Sequence, residues 1–204
     1  LLNESGFGVP NLTVRLENSS TGTYENTTNG VGFALFREIR PAKSYIIVLN
    51  KTELYGMGYL NNETSFEVVA GEDENTKNSL TILIESVNLT LNITNRTGSF
   101  ITASAVLYIN GSVVKNGYNS ALIANISKLF TFTNVKPTED YFNQNYTLLI
   151  DANRSGYGIR TFSINVTLNN SRNVFSRVLD SLDISIVVLN ESNENVEHNT
   201  TVYV

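Results

Sequence analysis

Ser86-Val-Asn-Leu-Thr-Leu-Asn-Ile-Thr-Asn95 and Ser181-Leu-Asp-Ile-Ser-Ile-Val-Val-Leu-Asn190 align without a gap at an offset of 95 residues, and most of the pairs are identical or conservative. Inside the first stretch apolar and polar residues alternate strictly, which is the period of a strand with one face buried. Each stretch follows an acidic residue, Glu85 or Asp180, at the end of an apolar run, and each closes on an Asn-x-Ser/Thr tripeptide. Self-similarity at a fixed spacing is the signature of a repeat array, because one packing unit is used again.

Two further matches extend the period. Phe36-Arg-Glu-Ile-Arg-Pro41 parallels Phe132-Thr-Asn-Val-Lys-Pro137, 96 residues on, and Leu2-Asn3-Glu4-Ser5 matches Leu189-Asn190-Glu191-Ser192. The expected organisation is a first β-sandwich repeat over 1–85 that lacks the strand equivalent to Val87 through Ile93, a second over 86–180, and the start of a third over 181–204. Leu80 to Ile84 runs through Glu85-Ser86 into Val87 with no Gly or Pro between, so a stiff joint is expected.

The remaining runs agree with an all-β fold of tandem sandwiches. They lie at Leu12 to Leu16, Gly32 to Phe36, Tyr45 to Leu49, Ser65 to Val69, Ala105 to Ile109, Leu129 to Phe132, Tyr146 to Ile150, Phe162 to Leu168, Val174 to Leu179 and Leu182 to Leu189, with Gly, Asn and Asp between them. No stretch of a dozen residues holds a 3.6-residue apolar period with caps, so helix is expected to be almost absent. Asn110-Gly111 between two runs predicts a two-residue hairpin, since both residues tolerate the positive φ of a type I′ turn.

Asparagine is the outlying residue. Of 29, 17 occupy Asn-x-Ser/Thr: Asn3, Asn11, Asn18, Asn26, Asn50, Asn62, Asn88, Asn92, Asn95, Asn110, Asn125, Asn145, Asn153, Asn165, Asn169, Asn190 and Asn199. Ser and Thr make up about a fifth of the chain, so chance placement gives roughly 6 such acceptors. Turn chemistry accounts for Asn18, Asn50, Asn62 and Asn153. It has no use for Asn88 and Asn92, which lie within an alternating strand pattern. On a strand, residues i and i+2 share a face, so Asn and Thr point outward and the middle residue inward. That middle residue is Leu12, Leu89, Ile93, Ile126, Tyr146 and Val166 in six of them. N-linked glycans, and hence passage through a secretory route, are expected.

Other chemistry has little raw material. The chain has no Cys, which excludes disulfides, thiolate metal sites and a cysteine nucleophile. Its net charge of -5 with few charged residues offers no basic patch for nucleic acid or anionic lipid. No apolar run approaches 18 residues and no signal-like n- and h-region opens the chain, so it reads as a mature product or a piece of a longer protein, anchored elsewhere. His198 is the single histidine and lies in a polar stretch, too little for a triad or a zinc site. Glu72-Asp73-Glu74 reads as a solvated hairpin loop, with weak calcium binding as the alternative. Tyr141, Phe142, Tyr146 and Tyr157 gather around the insertion Thr138 to Asn145; core and edge packing is the expectation, and a sugar-binding row the alternative. No cofactor is expected beyond covalent sugar.

Gly8-Val9-Pro10, Val14-Arg-Leu16, Thr28-Asn29, Gly32-Phe33, Phe36, Ile39, Pro41 and Tyr45 together resemble the carboxypeptidase-regulatory-like, transthyretin-like sandwich, a family that also resembles the B-type repeats of bacterial collagen-adhesin stalks. The pattern covers residues 6 to 85 well and 98 to 180 loosely. The resemblance implies a fold, tandem Ig-like or prealbumin-like β-sandwiches, rather than an activity. Ala42 and Thr138 stand where the family commonly has Gly after the Pro. Adhesin-stalk repeats often carry a Lys-to-Asn isopeptide bond, and Leu12 to Leu16, Val87 to Ile93 and Ala105 to Ile109 contain no Lys to form one.

These features point to a non-enzymatic structural segment of an extracellular glycosylated filament, sheath, stalk or surface-layer protein. Dense acceptors without Cys resemble archaeal surface proteins. An adhesin or carbohydrate-binding module contacting surface glycans is the alternative, and an accessory domain of a secreted hydrolase a second one. The expected partners are further copies or neighbouring repeats. If the mature subunit starts near Leu1, Leu182, Ile184, Ile186 and Val188 are a strand donor for a neighbour's open first repeat; a longer chain truncated at both ends is the alternative, and the partial repeats at both termini favour it.

Overall fold

A computed structural model describes residues 1–40, 42–60, 64–68, 79–116, 120–138, 144–168 and 172–181. Among them the protein is built almost entirely of short strands: β1 (Leu2–Asn3), β2 (Thr13–Asn18), β3 (Gly22–Thr27), β4 (Ala42–Leu49), β5 (Thr64–Val68), β6 (Leu83–Ile84), β7 (Asn88–Thr94), β8 (Ala103–Ile109), β9 (Ser112–Val113), β10 (Ile123–Ile126), β11 (Phe130–Phe132), β12 (Tyr146–Ala152), β13 (Gly158–Ile164) and β14 (Arg172–Val178). One helix, α1 (Lys51–Gly56), and a single 3-10 turn at Asn153–Ser155 complete the described elements.

The strands form four sheets. In the N-terminal half β3-β2-β4-β5 is a four-stranded antiparallel sheet, and β1 pairs with β6 in parallel. In the C-terminal half β10-β8-β12-β13, with β9 on the end of β8, faces a three-stranded sheet ordered β11-β7-β14. There β7 is central, antiparallel to β11 and parallel to β14, with Leu91 paired to both Phe130 and Phe175.

Alternation decides which side of each strand is buried. Leu89, Leu91 and Ile93 of β7, Ala103, Ala105 and Leu107 of β8, and Tyr146, Leu148 and Ile150 of β12 all turn into one core that runs from Val87 to Leu179. A second core gathers Val9, Leu12, Val14, Leu16, Tyr45, Ile47, Leu49, Leu54, Tyr59, Ile82 and Ile84. The two cores meet in sequence between Ile84 and Val87.

Local chemistry recurs between the halves. Tyr45 is fully buried and donates its hydroxyl to the Arg40 carbonyl at 2.7 Å; Tyr146 is fully buried and donates to the Lys136 carbonyl at 2.7 Å. A buried phenol needs such a partner, and in both places it ties a strand to the chain just before a proline position. Asn3 and Asn95 each open a turn by accepting two backbone N–H groups on Oδ1, from Ser5 and Phe7 in the first case and Thr97 and Ser99 in the second. Leu2 pairs in parallel with Leu83, and Thr94 pairs in parallel with Val178.

The hairpin at Asn110-Gly111 is present, with positive φ at both residues and Ile109 paired to Ser112. Three expected strands are corrected. Gly32 to Phe36 forms no strand among the described residues, and of Leu80 to Ile84 only Leu83–Ile84 joins a ladder. Phe162 to Leu168 is shifted: β13 starts at Gly158 and ends at Ile164. Helix is almost absent, as expected; the one described α-helix, α1, is nucleated by a side-chain cap in which Asn50 Oδ1 accepts the Glu53 N–H at 3.2 Å. The Leu182 to Leu189 run, with Asn190 and Asn199, lies outside the described residues.

Candidate functional site

For a chain of this kind the informative places are the junction between the cores, the strand edges, and the surfaces that carry acceptor asparagines. The junction is built by the turn after α1. Val87 N–H donates to the Gly58 carbonyl at 2.8 Å, Leu60 N–H donates to the Glu85 carbonyl at 2.9 Å, and Tyr59 bridges to Ser86. From the C-terminal half, Asn134 presses against Gly58. Its Nδ2 reaches the Met57 carbonyl and Ser86 Oγ, both at 3.4 Å. From the N-terminal half, Glu4 Oε1 accepts the Ser86 N–H at 3.1 Å.

Gly58 has a φ of +74°, and a Cβ placed there would stand 2.3 Å from the carbonyl carbon and oxygen of Asn134. Only glycine serves both the left-handed backbone and this approach. Asn134 is itself left-handed, with a φ of +54°, which asparagine tolerates better than most residues. Tyr59 is fully buried in the N-terminal core, and Leu60, the next residue, packs on the C-terminal core. One dipeptide thus has a side chain in each core, and the backbone of 84–87 is hydrogen-bonded on both sides. Sequence reading expected a stiff joint from the lack of a linker but missed Gly58 and Asn134. The Gly56-Met57-Gly58 spacing was the available signal.

Strand pairing differs between the halves. Where β11 and β14 flank β7, the matching segments 34–36 and 79–81 have no ladder partner among the described residues, while the Ile82 carbonyl accepts the Leu2 N–H at 2.9 Å. Their side chains show the consequence: Leu80 is 44% exposed, while Phe175, 95 residues on, is 8% exposed. Leu35 is 46% exposed and Phe33 more so.

Acceptor asparagines occupy the surface unevenly. Asn11, Asn26, Asn50, Asn110, Asn125, Asn145, Asn153 and Asn165 are exposed, and Asn3, Asn18, Asn92 and Asn95 are half-exposed. Asn88 departs from the expectation of an outward sheet-face site: only 9% of it is exposed, and its Oδ1 is buried with no hydrogen-bond partner. Covering by the flanking β14, whose Asn173 donates to the Asn88 carbonyl at 3.2 Å, is the physical reason. All six middle residues, Leu12, Leu89, Ile93, Ile126, Tyr146 and Val166, are buried as the strand argument requires. Asn62, Asn169, Asn190 and Asn199 lie outside the described residues.

The other candidates fare as follows. Among the described residues there is no group of three or more His, Cys, Asp or Glu that could hold a metal. Glu72-Asp73-Glu74 and His198 fall outside them, as do Tyr141 and Phe142. Tyr146 is a core residue, and Tyr157 packs against the same core. Among the described residues the closest ion pair is Arg96 with Asp180, at 2.5 Å and largely exposed; the hydrogen bond from Arg96 holds the Asp180 carboxyl below its ordinary pKa. No described helix is long and apolar enough to cross a membrane.

No protein-family model matches the chain, and no curated protein matches it. Among solved structures, the TIE protein of Bacillus anthracis overlaps 96% of this chain at 15% identity and a TM-score of 0.44. The chain spans 39% of that protein's length. The shaft pilin SpaA from Lactobacillus rhamnosus GG, in a single-site mutant form, overlaps 90% of this chain and 96% of its own at 9% identity and a TM-score of 0.38. Neither overlap is close enough to assign a family or an activity.

Proposed function

We propose that the chain is a non-enzymatic structural segment of an extracellular, N-glycosylated stalk, filament, sheath or surface-layer protein of archaeal type, in which tandem β-sandwich repeats of about 95 residues set the spacing. The observation that carries this reading is the joint. Two cores follow each other without a linker, and their junction is fixed by Gly58 against Asn134, by the Val87 to Gly58 hydrogen bond, and by Tyr59 and Leu60 reaching into different cores. Hinged domains ordinarily meet through small, polar, exposed contacts, so a buried and sterically fixed junction favours a part that transmits force or holds distance. The matched Tyr45 and Tyr146 ties and the matched parallel pairs, Leu2 with Leu83 and Thr94 with Val178, support reading the two halves as repeats. Acceptor asparagines at exposed positions of both halves support the sugar coat.

The test is a distance distribution across the joint. The chain has no cysteine, so Ser20→Cys with Ser127→Cys places one spin label on each half at exposed positions. A stiff spacer gives one narrow distance peak by pulsed electron paramagnetic resonance. A broad distribution would mean freely hinged halves and would remove the proposed role.

A further inference from the structure

The sheet β10-β8-β12-β13 turns one face to the C-terminal core and the other to solvent. On the solvent face the register aligns Ile123, Val106, Leu149 and Thr161 in one row, with Asn125, Ser104 and Asp151 in the row beside it. Alternation sets this arrangement, since Ala124, Ala105, Leu107, Leu148 and Ile150 between them point into the core. Ile123, Val106 and Leu149 thus form an aliphatic stripe across three strands. Ile123 is 57% exposed, and Val106 and Leu149 are half-buried. Hydroxyls border the stripe: Ser104 on one side, Thr161 at its end, and Thr147 on the other side. The N-terminal sheet differs, because β2 carries Arg15 on its outer face, ion-paired with Glu17 at 3.6 Å and Glu25 at 3.8 Å.

An aliphatic stripe bordered by neutral hydroxyls complements a pyranose ring. The ring's C–H face removes apolar surface from water, and its own hydroxyls exchange hydrogen bonds with the border. Asn125 brings such a ring to the stripe. It is the exposed acceptor of Asn125-Ile-Ser127, two residues from Ile123 on the same face of β10. That spacing puts it about 7 Å from Ile123 along the strand, and Ser104, directly opposite, is about 5 Å away. A sugar on Asn125 Nδ2 therefore reaches the stripe with no change of backbone. On the far side stands a second exposed acceptor, Asn145, whose Nδ2 donates to Ser163 Oγ at 3.1 Å. A protein partner would have to enter between the two sugars.

We propose that the sugar linked to Asn125 lies down on Ile123, Val106 and Leu149, so that its first ring is a packed part of the C-terminal sheet. This rests on the glycosylated reading of the chain and deepens it by giving one glycan a protein surface.

The absence of cysteine allows a test that needs no glycosylating host. Full-length Asn125→Cys is coupled to glucose through a glucosyl methanethiosulfonate. The resulting disulfide places the same number of atoms between Cβ and the anomeric carbon as an asparagine-linked sugar does. The reference is the same variant blocked as a methyl disulfide, and the control is Ser20→Cys, exposed in the N-terminal half. Glucose at 125 is expected to raise the thermal midpoint by about 2–4 °C over the methyl-blocked chain, with no gain at 20. Nuclear Overhauser contacts are expected from the sugar ring protons to the Ile123 and Leu149 methyl groups. Adding Ile123→Ser should remove the gain, with circular dichroism checking that the β-structure is kept. Equal midpoints, absent contacts, or a gain that survives Ile123→Ser overturns the proposal. So does a methyl-blocked chain that sediments as a dimer and becomes monomeric with Ile123→Ser, because a second copy would then be the occupant. The natural protein separates this inference from the reading beneath it. An unmodified Asn125 there overturns both at this site, whereas a sugar present there, with no gain in the glucose-labelled chain, overturns the packing alone.

Discussion

Gly58 and Gly111 share a φ of +74°, yet the space around them differs completely: a Cβ on Gly111 meets nothing within 4 Å, while one on Gly58 stands 2.3 Å from the Asn134 carbonyl. Replacing each by Ala therefore separates the cost of backbone strain from the cost of opening the joint. Gly111→Ala should lose about 1–2 kcal/mol, the price of an L-residue in left-handed backbone. Gly58→Ala incurs the same strain and must also move the Asn134 backbone away by about 1 Å to reach ordinary contact. The Val135 N–H to Val87 carbonyl bond, at 2.9 Å and next in the chain to Asn134, then stretches beyond hydrogen-bonding range. Leaving those buried groups unpaired adds about 1–3 kcal/mol, for a total of about 2–5 kcal/mol. Urea unfolding followed by circular dichroism reads the stability, and small-angle X-ray scattering reads the maximum dimension. The expected result is a larger midpoint shift for Gly58→Ala and a broadened distance distribution that Gly111→Ala does not show. Equal shifts with superimposable scattering curves would refute the idea that the junction is sterically locked.

The tyrosine ties predict paired losses. Tyr45→Phe and Tyr146→Phe should each cost about 1–2 kcal/mol by leaving the Arg40 or Lys136 carbonyl without its donor; a thermal melt in which either is neutral would show the tie to be replaceable. Arg96→Ala should raise the Asp180 pKa followed by carbon-13 NMR, because the Arg96 hydrogen bond is the main cause of its lowering. The sign is that of a depressed carboxylate: the pair's contribution is present above the unfolded-state pKa and fades as pH falls through the lower folded one. An unchanged titration would mean that the exposed pair is not populated in solution.

Much of the fold was legible because strand alternation is a local signal. The β7 pattern from Asn88 to Thr94 and the buried middle residues of six acceptor tripeptides needed only the two-residue period. Elements without such a signal were lost. β3, Gly-Thr-Tyr-Glu-Asn-Thr over 22–27, is an edge strand exposed along most of its length, so no apolar alternation marks it. The six residues of α1 are too few to show a helical period, and Asn50-Lys-Thr-Glu53 was read as a glycan acceptor rather than as the cap it also forms. Gly32 to Phe36 has strand-like composition but no ladder among the described residues, since a ladder needs a partner and composition does not supply one. The junction was hidden for a different reason. Gly58 and Asn134 are 76 positions apart, and only folding brings their backbones together. Asn88 shows the converse limit: its acceptor tripeptide is intact, but the neighbouring strand buries it.

Intact-glycopeptide mass spectrometry on the protein from its natural source decides whether the chain is a sugar-coated structural segment. Glycans are expected at Asn11, Asn50, Asn110, Asn125 and Asn153, which are exposed in both halves, with Asn88 unmodified beneath β14. Unmodified peptides at the exposed acceptors would contradict that reading, because the chain would then be neither coated nor marked as having passed through a glycosylating compartment.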